Sequence, residues 1–530
     1  MTGAELLVRC LEREGVRYVF GVPGEETLDI NDALARSAIQ FIPTRHEQAA
    51  AFMADVWGRL TGHAGVCLAT LGPGATNLAT GVADANLDRA PVVAITGQIA
   101  RHLVHKESHQ YVDVVDVFRP FTKWNARIET GAVVAEAVRK AFKRAQEEKP
   151  GACHLELPED VAQGAAEGEP LAADRARRPS PDRPSLACAA ELIDRASHPM
   201  ILAGNGVIRG RASKELTALA ERAQIPVVTT FMAKGAIAAH HALARATVGL
   251  ASDDPARIGF ADADLVIAVG YDPVEWAAAK WNPSGRLKIV HIDFTPAEVD
   301  ARYQPEVEVV ADVREALELL APLVAARRAS AARVPPAEDP RRLDDAFPVL
   351  PQRIVAELES ALRPDDLLIS DVGAHKLWVA KRFRARVPGS VIISNGFAAM
   401  GIALPGAIAA KLAQPERRVV AVTGDGAFLM NVQDLETAAR LRLPFVILIF
   451  RDDGYGVIRW KQEKQFGRTA GVDFGNPDFV ALAHAFGCEG VAIKAAAELR
   501  PAIEKALAAR VPVVIDCPVD YRENDRLADY

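Results

Sequence analysis

Short runs that are apolar at every position punctuate the chain, separated by longer stretches in which apolar and polar residues mix at helical spacing. Val446-Ile447-Leu448-Ile449-Phe450 is the clearest of these runs. A strand with one wet face alternates, whereas a strand covered by helices on both faces is apolar throughout. Read this way, the N-terminal part holds strands at 40–43, 65–70 and 91–96. The middle part holds them at 199–203, 226–230, 264–270 and 287–293, and the C-terminal part at 367–371, 391–394, 418–423, 444–450 and 511–516. Strands alternating with helices predict an α/β fold with parallel sheets. Two stretches lack periodicity, 163–186 and 325–347, the second carrying Pro335, Pro336 and Pro340. They read as linkers. The expected domains are therefore 1–165, 185–325 and 345–530, each long enough for its own core.

Composition narrows the class without naming it. Half of the 530 residues are hydrophobic and a quarter charged, which is ordinary globular usage. The net charge of −7 is spread along the chain, so no basic block is available to neutralise nucleic-acid phosphates. No apolar run approaches the roughly 20 residues that span a bilayer, and residues 1–14 lack the apolar core of a signal peptide. The six cysteines are scattered, without metal-binding spacing, and read as buried small apolar residues in a reducing, cytoplasmic compartment.

The strongest chemical signal lies in the third part. Strand 418–423 ends in Gly424-Asp425-Gly426, and strand 444–450 ends in Arg451-Asp452-Asp453-Gly454-Tyr455-Gly456. Open parallel sheets bind ligands beyond the carboxyl ends of their strands, and here two strands each deliver a carboxylate there. Glycines around Asp425 let backbone amides approach an anion such as a diphosphate. Carboxylates beside a diphosphate call for a divalent cation, and magnesium accepts that mixture of oxygens.

This arrangement resembles the cofactor motif of thiamine-diphosphate enzymes: Gly-Asp-Gly, then 24 residues (427–450), then a polar pair. The family's usual pair is Asn-Asn, and Arg451-Asp452 replaces it; Asp452 still offers a hard oxygen. The replacement is similar to what flavin-independent, catabolic acetolactate synthases carry. The resemblance assigns magnesium to Asp425, Asp452 and the carbonyl of Gly454. It implies cofactor contacts from Gly424, Gly426, Ala427, Phe428, Tyr455, Gly456 and Val457. Asp371-Val372-Gly373-Ala374-His375 resembles the loop that lends amides to the diphosphate, with contacts from Val372, Gly373, Ala374 and His375. Gly396-Phe397-Ala398-Ala399-Met400-Gly401 places Met400 under the cofactor, with Gly396 and Ala398 beside it.

The first part matches the same family. Thr44-Arg45-His46-Glu47 precedes a helix, and taken alone Glu47 is an ordinary first-turn carboxylate. In the family a glutamate here hydrogen-bonds the aminopyrimidine and activates the cofactor. Phe20-Gly21-Val22-Pro23-Gly24 and the turn at Thr70-Leu71-Gly72-Pro73-Gly74-Ala75-Thr76-Asn77 resemble its other pyrimidine-side loops, giving Pro23, Gly24, Thr70 and Asn77 as contacts. Gln110, after the polar loop 101–108, matches a glutamine near the reacting carbons and is equally a solvated loop residue. Lys461 stands where the family places a side chain facing the second substrate, tryptophan in biosynthetic enzymes and glutamine in catabolic ones. Its alternative is a solvated lysine, and Trp460 lies one place too early to substitute.

In the middle part Gly204-Asn205-Gly206 follows a strand, but a nicotinamide site also needs a third glycine at the right spacing and an acid ending the next strand. The third glycine is displaced to Gly210, and strand 226–230 ends in Thr229-Thr230. Flavin-dependent relatives carry Arg-Phe-Asp-Asp after the strand matching 264–270, where this chain has Tyr271-Asp272-Pro273-Val274-Glu275-Trp276; FAD is therefore not expected.

The resemblance thus implies three α/β parallel-sheet domains: pyrimidine-binding, central Rossmann-like and diphosphate-binding. It also implies thiamine diphosphate with Mg2+, and a homodimer or homotetramer with active sites at the subunit interface. The expected reaction is decarboxylation of pyruvate and ligation of the activated two-carbon unit to a second 2-oxo acid, giving 2-acetolactate. A 2-oxo acid decarboxylase, or a carboligase with a different acceptor, is the alternative. Glyoxylate carboligases lack the glutamate found at Glu47, and a non-catalytic relative would not need Glu47, Asp425 and Asp452 together.

Overall fold

The computed structural model describes residues 1–174, 177–249, 259–328 and 344–529. Most of the second expected linker, including its three prolines, lies outside the described residues. Eighteen strands among the described residues form three six-stranded sheets, parallel throughout.

The first sheet contains β1 (Tyr18–Gly21), β2 (Gln40–Pro43), β3 (Gly65–Ala69), β4 (Val92–Gln98), β5 (Trp124–Arg127) and β6 (Ala152–Pro158), in the order β2-β1-β3-β4-β6-β5. The second contains β7 (Pro199–Ala203), β8 (Val227–Thr230), β9 (Ala244–Val248), β10 (Leu265–Val269), β11 (Lys288–Asp293) and β12 (Val307–Val310), in the order β12-β11-β10-β7-β8-β9. The third contains β13 (Leu367–Ser370), β14 (Val391–Ile393), β15 (Val419–Gly424), β16 (Val446–Arg451), β17 (Glu489–Ala492) and β18 (Val513–Pro518), in the order β14-β13-β15-β16-β18-β17. Counted within each sheet, the first and third orders are the same, so the outer domains share a topology. The central order is that of doubly wound dinucleotide-binding sheets.

Six strands escape the apolar-run criterion. β5, β9 and β17 lie at sheet edges and are only partly buried, so their polar positions are tolerated. β6 is buried throughout yet carries His154 and Glu156. His154 Nε2 pairs with Thr96 at 2.9 Å while its Nδ1 has no hydrogen-bond partner among the described residues, and Glu156 is held by Gln98 at 2.9 Å and by Arg127. β1 and β12 are simply short. The first expected linker also runs too long, because Asp182 caps a helix at Arg183–Arg195 with its carboxylate accepting from Ser185 N at 2.9 Å. Five of the six cysteines are buried; Cys188, on that helix, is exposed.

The helix Glu47–Thr61 sets the geometry of the N-terminal site. His46 caps its start by accepting from Gln48 N at 3.0 Å, and Gly62 ends it in the left-handed region, φ +73°. Ala49 to Gly58 are buried around the whole circumference, because helices pack on it from both outer domains. Small residues permit this. A Cβ on Gly81 would stand 2.5 Å from Ala51 Cβ, and one on Gly406 2.9 Å from Val56 Cγ2. The first and third domains consequently share one core, in which Ala50 and Val56 join Ile369, Ala403 and Ile447.

A buried polar cluster fixes the same junction. Arg59 donates to Asp55 at 2.5 Å, Asp88 at 2.7 Å and Asp84 at 3.3 Å. Asp84 also accepts from Ser394 Oγ at 2.8 Å and Ala399 N at 3.1 Å, and Asp88 from Asn395 N at 3.1 Å and from Gly396 N. One arginine cannot balance three carboxylates, so burial and its neighbours push Asp84 well above the usual carboxylate range. The backbone donors of residues 395–399 complete the satisfaction.

Candidate active site

A cavity of about 520 Å3 opens beyond the carboxyl ends of β13, β15 and β16. Its wall includes Val372, Gly373, Ala374 and His375 after β13, Ala398 and Met400 after β14, and Gly424, Asp425, Gly426 and Ala427 at the end of β15. Asp452, Gly454, Tyr455, Gly456 and Val457 follow β16, and Lys461 comes from the helix Gly456–Phe466. The volume falls within the range of small-molecule sites.

Asp425 opens the helical turn Asp425–Phe428. Its carboxylate accepts from Gly426 N, Asp453 N and Asn476 Nδ2, each at 2.8 Å. Asp452 has Arg459 Nη1 at 3.1 Å. Burial, then the nearby Asp425 charge, push Asp452 up to about 7, and burial raises Asp425 as well. A divalent cation between them would reverse both effects, and Asp425, Asp452 and the Gly454 carbonyl make the all-oxygen set that a hard cation takes.

The rest of the cavity suits an anion. Burial pushes the imidazole of His375 down to about 3, and its Nε2 is buried without a hydrogen-bond partner among the described residues. A Cβ on Gly424 would stand 3.3 Å from His375 Nδ1, one on Gly373 2.7 Å from His375 Cε1, and one on Gly456 2.4 Å from Asp452 Oδ2. Only glycine lets the backbone pass so close to both groups. Met400 is held by a device with no sequence signal: buried Asp371 accepts from Val372 N and Gly401 N at 2.8 Å and from Ala403 N at 3.0 Å. Ala398 takes φ +58°, a left-handed strain characteristic of functional loops.

Two expected contacts fall outside this wall. Phe428 is buried against Phe479, ring centroids 5.6 Å apart, in the shared core. Gly396 is turned toward Asp88, to which its N–H donates. Conversely, Lys376, Leu377, Phe450, Ile458, Trp460, Lys464 and Tyr521 line the cavity unforeseen. Trp460 and Lys461 both face it, because Val457, Ile458, Trp460, Lys461 and Lys464 share one helical face.

A second group of expected residues gathers elsewhere, at the carboxyl ends of β1 to β3. Glu47 Oε2 accepts from Asn77 Nδ2 at 2.9 Å. A Cβ on Gly74 would meet Thr70 Cγ2 at 2.9 Å and Glu47 Oε1 at 3.4 Å, and one on Gly24 would meet Thr70 Cβ at 2.4 Å. Pro23 is exposed beside Gly24. Gln110 is exposed at φ +55°, and its carbonyl would be 2.4 Å from a Cβ on Gly72. None of this group lines the cavity of the first. One chain therefore presents two separate partial sites.

In the central domain the turn after β7 is held by a carboxyl of the chain itself. Glu275 lies at the start of the helix Asn205–Arg209, where both its carboxylate oxygens accept from Asn205 N, at 3.0 and 3.1 Å, and Thr230 Oγ1 donates to it. Burial pushes this carboxyl up to about 8. The glycines serve packing: a Cβ on Gly204 or Gly206 would meet Gly270 O or Gly270 Cα at 2.4 or 2.5 Å.

Three parallel sheets with a carboxylate pair and an anion cradle at the strand ends define an enzyme for a phosphorylated cofactor. The models of the thiamine pyrophosphate enzymes match in chain order: the N-terminal TPP binding domain at 1–117, the central domain at 186–320 and the C-terminal TPP binding domain at 371–517. The catabolic acetolactate synthase of Raoultella terrigena is 38% identical over 99% of this chain and 96% of its own length. The acetolactate synthase of Bacillus subtilis is 35% identical over 99% and 94%, and a probable acetolactate synthase large subunit of Methanocaldococcus jannaschii 37% over 99% and 93%. The chain belongs to the thiamine pyrophosphate enzyme family.

Thiamine diphosphate with magnesium should raise the melting temperature of the wild-type protein. Saturation at about 100 times the dissociation constant corresponds to roughly 2.7 kcal/mol. Asp425→Ala and Asp452→Ala should each lose most of that shift at the same concentrations. Scanning fluorimetry showing equal shifts in all three proteins would put the cation elsewhere.

Proposed function

We propose that this protein is a flavin-independent acetolactate synthase, joining the two-carbon remainder of pyruvate to a second 2-oxo acid. The observation that carries the reading is the pair of partial sites, each assembled from the family's motifs in order. Asp425, Asp452 and the Gly454 carbonyl would hold magnesium, and His375 with the amides after β13 and β15 would receive the diphosphate. Met400, on the loop pinned by Asp371, would support the cofactor from below. The cofactor, when bound, supplies a thiazolium that accepts the electrons left when carbon dioxide departs. Glu47, steadied by Asn77, would hold the proton at the pyrimidine nitrogen, and Gln110 would orient the reacting carbons.

Because Glu47 does not face the Asp425 cavity of its own chain, a second copy would supply it, making a homodimer the minimum active unit and allowing a tetramer. Apolar side chains exposed near both partial sites favour such cover: Leu28 is 64% exposed, and Phe397, Ile458 and Phe466 are 45%, 48% and 63% exposed. Glu275, which occupies the Asn205 N–H at the turn after β7, favours the flavin-free reading.

Glu47→Gln should bind thiamine diphosphate normally but slow hydrogen–deuterium exchange at the thiazolium carbon, since an amide cannot manage that proton as a carboxylate does. An unchanged exchange rate would remove Glu47 from this role. Product analysis with pyruvate should give acetolactate; free acetaldehyde as the sole product would favour a plain decarboxylase. Purified protein should be colourless and gain no activity from FAD, whereas a stoichiometric flavin spectrum would overturn the flavin-free assignment.

Lys461 is exposed on the cavity wall and has no ion-pair partner among the described residues. As an ammonium near the acceptor, it would favour a carboxylate-bearing second substrate. Lys461→Gln, compared with wild type on pyruvate, 2-oxobutyrate, glyoxylate and a dicarboxylic 2-oxo acid, should change kcat/KM unequally among them. Identical kinetics for every acceptor would mark it as a solvated surface lysine.

A further inference from the structure

A second large cavity, of about 490 Å3, lies where all three domains meet and takes no part in the site described above. Seven cationic side chains line it against one carboxylate, Glu148. Four of the seven are already paired: Arg59 and Arg89 with aspartates, and Arg178 and Arg209 with Glu148 at 2.6 and 3.2 Å. Arg178 also has Asp312 at 3.1 Å. Glu148 is thus shared between two guanidinium groups and has nothing left for the others. Arg211, Lys214 and Arg417 have no ion-pair partner among the described residues. Among the described residues the Arg417 side chain donates only to neutral oxygens, the Asp365 carbonyl at 2.5 Å and Gln414 Oε1 at 2.7 Å.

Two further donors in the wall are unspent. Arg209 Nε and Ser213 Oγ are buried without a hydrogen-bond partner among the described residues. Ser213 is the first residue of the helix Ser213–Ala223, whose amino-terminal end adds a partial positive charge. The turn before it holds Arg211 at φ +53°. The excess of positive charge is therefore gathered on one short stretch, 209–214, facing Arg417 of another domain.

We infer that this cavity binds a compact, multiply charged phosphate compound, held by Arg211, Lys214 and Arg417. Guanidinium forks and a helix amino terminus match phosphate oxygens, and three unpaired cations call for more than one negative charge. The place is consequential, because it touches elements leading to both partial sites. Gly58 to Gly62, at the end of the helix that begins with Glu47, form part of the wall. So do Ile392 and Ile393, which run into the loop carrying Met400. An anion here would tie the central domain to both outer ones.

The test uses the holoenzyme, saturated with thiamine diphosphate and magnesium so that the catalytic cavity is filled. Inorganic tripolyphosphate and ATP are titrated calorimetrically into wild type and into Arg211→Gln/Lys214→Gln. Both positions are exposed and outside the catalytic cavity, so basal activity and melting temperature without added anion should be unchanged. One anion per chain should bind wild type. The variant should bind about tenfold more weakly or worse, as expected for losing two charge-assisted contacts. Arg417→Gln should weaken binding independently, from the third domain. Tighter binding of ATP than of tripolyphosphate would extend the recognised group to a nucleotide, and equal binding would confine it to the phosphate chain; either supports the site. No binding to wild type, or equal affinity in wild type and both variants, would overturn it. Because binding is read rather than turnover, these outcomes do not depend on the catalytic assignment.

Discussion

Two carboxylates brought together under cover, Asp425 and Asp452, are the constraint around which the catalytic cavity is organised. Burial first, and then the nearby Asp425 charge, raise the Asp452 carboxyl to about 7, so keeping both groups ionised together is costly. The Arg459 contact at 3.1 Å offsets only part of this. The surrounding backbone is committed to holding the pair: three donors fix Asp425, and glycine at 456 leaves room for the Asp452 carboxylate. Asp425, Asp452 and the Gly454 carbonyl together offer the kind of oxygen set that a hard cation takes.

The parallel sheet explains why the pair occurs where it does. β15 and β16 are neighbours with Gly424 opposite Phe450, so the residues that follow each strand emerge side by side. The same logic in the first sheet brings Gly24, Glu47 and Thr70 together after β1, β2 and β3. What separates the two groups is the shared core of the outer domains and the Arg59 cluster, which lock them back to back within one chain. Buried ion clusters contribute less net stability than their contacts suggest, and more to fixing a unique geometry. Here that geometry keeps Glu47 off the Asp425 cavity of its own chain, the gap that the proposed second copy would fill.

Most of the fold was legible because burial on both faces writes continuous apolar runs into the inner strands. The edge strands β5, β9 and β17 were not, since a half-exposed strand carries no such run. β6 was hidden for the opposite reason, since it carries His154 and Glu156 into the core, where Thr96, Gln98 and Arg127 partner them. Of the candidate site residues named from motifs, most of those that closely follow β13, β15 and β16 do line the cavity. Asn476, which bridges Asp425 and Asp453, and Tyr521 on the cavity wall come from distant segments, and nothing local marks them. The Gly204-Asn205-Gly206 turn shows the converse. Its glycines look like a cofactor motif, and in this fold they let the turn after β7 pack against Gly270 after β10, with the Glu275 carboxyl accepting from Asn205 N.

The account stands or falls on Glu47 and Asp425 belonging to one active site built from two copies. Glu47→Gln and Asp425→Ala, each inactive alone, are mixed under conditions in which subunit exchange is demonstrated with labelled chains. A mixed dimer then holds one site with both residues intact and one with both altered. Acetolactate formation should return on mixing and rise with the fraction of mixed dimer. Demonstrated exchange with no recovered activity would contradict the shared site.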